Sequence, residues 1–194
     1  MSSRPRAEMI EETRAKLIAS ARQAFARLGY AKTSMDDLTA EAGLTRGALY
    51  HHFGDKQGLL AAVVEQIDTE MDGRLDAISA QVGDSWEGFV QRCRAYLQMA
   101  QEPEIRRIVL QDARAVLGQR LPAQEHCIES LERRLQALAE AGLISAAGGP
   151  ALARLINGSL VEAALWIAAA EQPEPHLEQA LAALELLLRG LRQA

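Results

Sequence analysis

Aromatic residues, cysteines and long apolar runs are all scarce in this sequence. Aromatic side chains make up 4% of its 194 residues, and there are 2 cysteines. No apolar run approaches the roughly 18 residues of a typical membrane-spanning helix, and the N-terminal stretch MSSRPRAEMIEETRAK lacks the apolar core of a signal peptide. We therefore expect a cytoplasmic protein with no membrane partner. Cys93 and Cys127 should then be reduced thiols that pack as small hydrophobic residues.

Motifs of the common catalytic and metal sites are also missing. The sequence has no Walker phosphate loop, no GxSxG and no HExxH. His51 and His52 are adjacent, so on a helix their side chains point about 100° apart, and no acidic or cysteine partner stands at ligand spacing. His126 and His176 are isolated. We expect no enzyme activity, no cofactor and no metal site.

The residues that are abundant favour an all-α protein. Apolar residues make up 48% and charged residues 24%, as in an ordinary globular domain, and Leu and Ala dominate over β-branched runs. Helical periodicity, interrupted by Gly and Pro, sets the predicted boundaries. Helices are predicted at 9–28, from the cap Ser34 to Gly43, at 46–53, from the cap Asp55 to Ala80, and at 84–101, 104–118, 122–142, 150–170 and 175–192.

Charge is distributed unevenly along the chain. Residues 1–57 carry 9 Lys and Arg against 7 Asp and Glu, a balance of +2. Residues 58–194 carry 12 against 19, a balance of −7. A polyanion would therefore be bound by the first part. We predict a binding domain at 1–57 and a second, acidic domain at 58–194.

The stretch TRGALYHHFGDKQGLL, residues 45–60, follows a short helix and a glycine, which is the helix-turn-helix plan. On the predicted helix 46–53, Leu49 and Phe53 should point inward against Leu28 and Leu38. The opposite face is polar, and Arg46 at the helix start can reach base edges. Hydroxyl groups, helix N-terminal N–H groups and Lys56 fall where phosphates would lie. The predicted DNA contacts are Thr33, Ser34, Thr45, Arg46, Gly47, Tyr50, His51, His52 and Lys56.

The run GYAKTSMDDLTAEAGLTRGALYHHFGDKQGLL closely resembles the DNA-binding region of the tetracycline-repressor (TetR) family. Its main departure is Thr39, where the family pattern has Ala. The resemblance covers residues 10–65. It implies about nine helices: an N-terminal three-helix helix-turn-helix domain and a larger helical domain for ligand binding and dimerisation. It also implies a dimeric regulator, most often a repressor, that binds a pseudo-palindromic operator in double-stranded DNA and is released by a small-molecule effector.

The same resemblance places an effector pocket within the second domain, where bulky side chains alternate with a few polar ones. The candidates are Trp86, Phe89, Cys93, Tyr96, Ile108, Asp112, Cys127, Leu131, Asn157, Glu162 and Trp166, and each of them could equally be an ordinary core residue. The last two helices predict a homodimer interface, because helix 175–192 carries a wide leucine stripe that could form a four-helix bundle with helix 150–170 of each subunit; an ordinary core helix is the alternative. The members of the stripe are Leu177, Leu181, Leu184, Leu188 and Leu191.

A second function class remains open at the level of the sequence. A helical adaptor would bind another protein through its C-terminal helices and would show no sequence-specific DNA binding. A gel-shift experiment distinguishes the two classes.

Overall fold

The computed structural model describes residues 6–83, 85–118, 123–145 and 148–192. Within these ranges the chain forms nine helices, and its only strand-like pairing is an isolated bridge between Ile144 and Arg192. The helices are α1 (Arg6–Leu28), α2 (Met35–Glu41), α3 (Arg46–Phe53), α4 (Lys56–Ala80), α5 (Ser85–Met99), α6 (105–117), α7 (Ala123–Glu140), α8 (Gly149–Ala169) and α9 (Pro173–Arg189). This confirms the predicted all-α fold, with most ends within one to three residues of the prediction. The predicted start of the seventh helix, Pro122, lies outside the described residues.

The described residues divide into two compact units. The first comprises residues 6–67 and 107–118, and the second comprises 68–106, 123–145 and 148–192 without residue 84. The chain therefore passes from one unit to the other within α4 and again within α6. The sequence-based boundary at residue 57 remains a prediction about independent domains.

Side-chain caps determine where the short helices of the first unit begin. The Ser34 hydroxyl accepts a hydrogen bond from the Asp36 N–H, and the Thr45 hydroxyl accepts one from the Ala48 N–H. Such caps satisfy N–H groups that have no partner inside the helix. The core of this unit includes Leu17, Phe25, Leu38 and Leu49, which are buried.

Leu28 differs from its prediction. Its side chain is 40% exposed, so it does not provide the inward contact expected for α3. Phe53 is only half-buried, and the guanidinium of Arg14 lies over its ring. Leu49 is therefore the residue of α3 that is fully buried in the core of this unit.

Two helices have features that bear on function. The first part of α6, Ile105–Ala113, is π-helical, and α-helical geometry resumes at Arg114–Leu117. Such wide turns are rare and are often found at functional sites. Helix α8 is long and apolar enough to cross a membrane by length and composition, although only 39% of its apolar window is buried. A core helix of a water-soluble protein meets the same criteria.

Candidate nucleic-acid interface

Helices α2 and α3 and the turn between them present one polar face of α3 to solvent. We call this face, formed by Arg46, Gly47, Tyr50 and His51, the α3 surface. Tyr50 is 48% exposed, and Arg46 and His51 are exposed as well. A Cβ added at Gly47 would have no neighbour closer than the Thr45 hydroxyl oxygen at 3.8 Å. A partner molecule can therefore come close to the backbone of α3 at this point.

Arg46 is held by an ion pair that the sequence analysis did not anticipate. Its Nε lies 2.9 Å from Oδ1 of Asp36 on α2, and both side chains are more than half exposed. An exposed pair of this kind contributes at most about 1 kcal/mol. The guanidinium is therefore easily released to a stronger partner.

His52 is half-buried and belongs to a small aromatic group. Its ring centroid lies 5.6 Å from that of His51 and 6.0 Å from that of Phe53. Its predicted DNA contact therefore depends on the part of the ring that is not covered by Phe53.

Thr33 is the predicted DNA contact that the structure contradicts. Its side chain is buried, and its hydroxyl donates to the carbonyl oxygen of Gly29 at 2.8 Å. The hydroxyl closes the turn after α1 and is withdrawn from solvent. Thr39, the departure from the family pattern, is satisfied in the same way, because its hydroxyl donates to the Met35 and Asp36 carbonyl oxygens.

The turn after α1 is fastened by a cluster of four side chains, Tyr30, Lys56, Arg107 and Asp112, which we call the Tyr30 cluster. The Tyr30 N–H donates to Oδ2 of Asp112 at 2.7 Å. Lys56 Nζ donates to the Tyr30 carbonyl oxygen at 2.5 Å and lies 4.2 Å from the centroid of the Tyr30 ring. Burial lowers the pKa of the Lys56 ammonium, and the Asp112 carboxylate opposes this shift. Lys56 is therefore a structural residue in addition to any contact with phosphate.

Arg107 completes the cluster on the α6 side. Its Nε lies 3.4 Å from Oδ2 of Asp112, and its Nη2 donates to the Leu28 carbonyl oxygen at 3.4 Å. The guanidinium occupies the space that a side chain at Gly29 would need, since an added Cβ would lie 1.9 Å from Nη2. Gly29 also has a positive φ of 80°, which only glycine adopts without strain.

Asp112 therefore does not have the surroundings predicted for a pocket residue. Its carboxylate is committed to the Tyr30 N–H and to Arg107 within the first unit. Ile108, one turn earlier on α6, is fully buried. The sequence could not indicate this role, because residues 30 and 112 are 82 positions apart.

The second unit contains a network of charges on α4, α5 and α7. Arg92 is buried, its Nη1 donates to Oδ1 of Asp76 at 2.5 Å, and its Nη2 bonds to Asp72. Arg134 on α7 also bonds to Asp76. Asp68, one turn before Asp72 on α4, lacks such a partner among the described residues, and burial raises the pKa of its carboxyl to about 7. This interior is more polar than the sequence analysis expected.

Both cysteines lie in this unit. Burial raises the pKa of the Cys93 thiol to about 12 and that of Cys127 to about 11. Both are free thiols, Cys93 buried and Cys127 half-buried. A protonated thiol is a poor nucleophile, so the structure agrees with their interpretation as packing residues.

The remaining pocket candidates fall into two groups. Trp86, Phe89, Leu131 and Asn157 are buried and Tyr96 is half-buried. Glu162 and Trp166 on α8 are exposed, so they do not line the interior of the second unit. Their place in an effector pocket stays a prediction, and Trp166 lines a groove at the surface of α8 and α9.

An exposed apolar face runs along α8 and α9. Its large exposed side chains are Leu155, Trp166, Leu186 and Leu187, and we call it the α8–α9 face. It includes a groove of about 350 Å³ that is lined by residues of both helices and by Leu97. Exposed apolar area of this kind is typical of an interface with another protein surface.

Two of the five predicted interface leucines have a different role. Leu184 and Leu188 are buried within the unit, whereas Leu177, Leu181 and Leu191 are half-buried. The stripe on α9 is wide because it contains two faces: one packs into the core of its own unit, and the other, with Leu186 and Leu187, is exposed.

Helix α1, followed by two short capped helices with an exposed polar face on the second of them, defines a helix-turn-helix protein of the DNA-binding class. Residues 17–63 match the family model described as bacterial regulatory proteins, tetR family, and residues 86–191 match that of the tetracyclin repressor-like C-terminal domain. The chain belongs to the TetR family of transcriptional regulators. This assignment favours a DNA-binding regulator over the helical adaptor.

Solved structures extend the similarity over the whole chain. A TetR-family transcriptional regulator from Pectobacterium atrosepticum is 64% identical, with a TM-score of 0.91 over 98% of this chain and 99% of that one. RolR, crystallised with resorcinol, is 25% identical, with a TM-score of 0.72 over 96% of this chain and 90% of its own.

Similarity to curated proteins covers a smaller share of the chain. The transcriptional regulator TtgR of Pseudomonas putida is 40% identical over 65 residues, which are 34% of this chain and 31% of TtgR. The aligned region thus spans about a third of that relative.

Proposed function

We propose that this protein is a cytoplasmic transcriptional repressor that binds a pseudo-palindromic operator as a homodimer and is released by a small-molecule effector. The observation that carries the proposal is the α3 surface, in which an exposed cation, a hydroxyl and an imidazole surround a glycine that leaves the helix backbone accessible. The proposed function includes no catalytic activity.

Arg46 is the residue that reads bases in this proposal. A guanidinium can donate two hydrogen bonds to the acceptors of guanine, and each such contact discriminates by about 1–3 kcal/mol. That gain exceeds the value of the exposed pair with Asp36, so DNA displaces the carboxylate. Ser34, Thr45 and Tyr50 supply hydroxyls for the phosphates. The Lys56 ammonium has two further protons for the same purpose.

Two copies of the α3 surface are needed to read a palindrome. On a twofold axis they contact half-sites about 34–36 Å apart, one turn of DNA. The α8–α9 face provides the apolar surface for that axis, because its leucines and Trp166 are otherwise exposed to water. Two such faces would form a four-helix interface.

The effector acts through α6 in this proposal. This helix begins in the second unit and ends in the first. Arg107 near its start and Asp112 in its second half hold the turn after α1. A ligand that shifts α6 therefore changes the Tyr30 cluster and with it the position of the turn that precedes α2. A ligand acts only by its differential affinity for the two states, and operator DNA must weaken ligand binding by the same factor. Since RolR was crystallised with resorcinol, small phenols are the first compounds to screen.

The first experiment selects bound sequences from random DNA and measures affinity by fluorescence anisotropy at several salt concentrations. Arg46→Ala should relax the preference at one position in each half-site, whereas Asp36→Asn, which only frees Arg46, should preserve the preferred sequence. Equal binding to the operator and to a scrambled duplex would contradict the proposal.

The second experiment tests assembly by light scattering. Leu187→Glu places a charge in the α8–α9 face and should give monomers that bind the operator weakly. Leu28→Glu is the matched control, since Leu28 is also exposed but lies outside that face. A wild-type protein that is monomeric at micromolar concentration would exclude the dimer.

A further inference from the structure

A cleft between α5 and α9 shares no lining residue with the α3 surface or with the groove of the α8–α9 face. It has a volume of about 240 Å³ and is open to solvent on one side. Because one water molecule occupies about 30 Å³ in the liquid, this space holds about eight water-sized groups, which suits a molecule of about that many non-hydrogen atoms. The lining residues are Trp86, Glu87, Val90, Gln91, Arg94, Glu185, Leu188, Arg189 and Arg192.

The charges around the cleft are not balanced. Arg189 is paired with Glu185, whose Oε1 lies 2.5 Å from its Nη2. Glu87 accepts a hydrogen bond from the Gln91 amide at 2.7 Å. Arg94 and Arg192 have no ion-pair partner in the part of the chain that the structure describes. Two unpaired guanidiniums therefore face one small cleft, in a region whose overall charge is negative.

The floor of the cleft is apolar. Trp86 and Leu188 are buried, and Val90 is half-buried. The guanidinium carbon of Arg192 lies 5.9 Å from the centroid of the Trp86 ring, within the range of a cation–π contact. This contact orients Arg192 at the rim without using its hydrogen-bond donors.

We propose that this cleft is a binding site for a small monocarboxylate with an apolar body. The carboxylate would accept hydrogen bonds from Arg94 and Arg192, because guanidinium groups match the geometry of a carboxylate. The apolar body would cover Val90 and Leu188. Carboxylate binding at this cleft requires neither DNA nor an effector in the interior of the second unit. It can therefore be confirmed or refuted independently of the proposed repressor function.

The probe is benzoate, titrated into the full-length protein by isothermal calorimetry, with benzamide as its uncharged analogue of the same shape. We expect one benzoate per protomer and at least about tenfold weaker binding of benzamide. Arg94→Gln and Arg192→Gln should each weaken benzoate binding by about tenfold, the effect of losing one hydrogen bond to a charged group. The control is Arg133→Gln, because Arg133 is on α7 and does not line the cleft; its Nε donates to the Glu129 carbonyl oxygen of its own helix.

Three results would overturn the site. Equal affinities for benzoate and benzamide would show that the guanidiniums do not take part. Inorganic phosphate binding as tightly as benzoate would show that the apolar floor contributes nothing. Unchanged benzoate affinity in both arginine variants, with thermal unfolding confirming that they are folded, would place the ligand elsewhere.

Discussion

Replacing Gly47 by Ala separates the fold of α3 from its function. An added Cβ would meet only the Thr45 hydroxyl oxygen, at 3.8 Å, so the folded protein has room for it. Alanine in a helix is more favourable than glycine by about 0.5–1 kcal/mol. Gly47→Ala should therefore leave the free energy of unfolding unchanged or raise it by at most about 1 kcal/mol.

Operator binding should change in the opposite direction. A methyl group on the α3 surface would hold the helix away from the groove, and hydrogen bonds weaken beyond about 3.2 Å. If each half-site loses one base contact of about 1–3 kcal/mol, the dimer loses at least about 2 kcal/mol, or about thirtyfold in affinity. Fluorescence anisotropy at fixed salt, with urea unfolding of the same preparations, measures both effects.

Gly73→Ala is the matched control for this experiment. Gly73 is also helical and exposed, and an added Cβ there would meet no atom within 4 Å. It should give the same small gain in stability with unchanged operator affinity. Full operator affinity in Gly47→Ala would refute the approach of DNA to this face of α3. A similar loss in both variants would show that the effect is not local.

Three further predictions concern the interior of the two units. Asp112→Ala should lower the free energy of unfolding by about 1–3 kcal/mol, because it leaves the Tyr30 N–H without its acceptor. Asp112→Asn should lower the free energy of unfolding less. Asp112→Ala should also reduce the factor by which an effector weakens operator binding. Gly58→Ala should cost about 1–3 kcal/mol or more in urea unfolding and reduce operator binding, since its Cβ would lie 2.0 Å from the Phe53 carbonyl oxygen. Asp68→Asn should stabilise the protein above pH 7 by up to about 4 kcal/mol, from the rise of the carboxyl pKa to about 7.

The pH dependence in the last prediction has a definite sign. Between about pH 4 and pH 7 the Asp68 carboxyl is ionised in the unfolded chain and protonated in the folded one, so wild-type stability falls through this window and is level above it. The advantage of Asp68→Asn should grow over the same window, and parallel curves would contradict it. Glu41→Ala, at an exposed carboxylate, is the control for Asp112→Ala, and Gly73→Ala is the control for Gly58→Ala.

Local patterns in the sequence determined the helices and the polar face of α3. The caps at Ser34, Thr45 and Asp55 are made by side chains within three residues of the N–H groups that they satisfy, so their effect can be read from adjacent positions. Helical periodicity placed Leu49 in the core and Tyr50 on the surface, as the structure confirms. These features depend on interactions within a few residues of the chain.

Tertiary structure alone decided the partners of residues that are distant in sequence. It placed the Asp112 carboxylate on the backbone of Tyr30 and buried the Thr33 hydroxyl. It also divided the α9 leucines between the core and the exposed face, with Leu184 buried and Leu187 exposed. An apolar stripe indicates that one side of a helix is shielded from water, but it does not indicate which surface covers that side. The covering surface depends on how helices that are far apart in the chain cross one another.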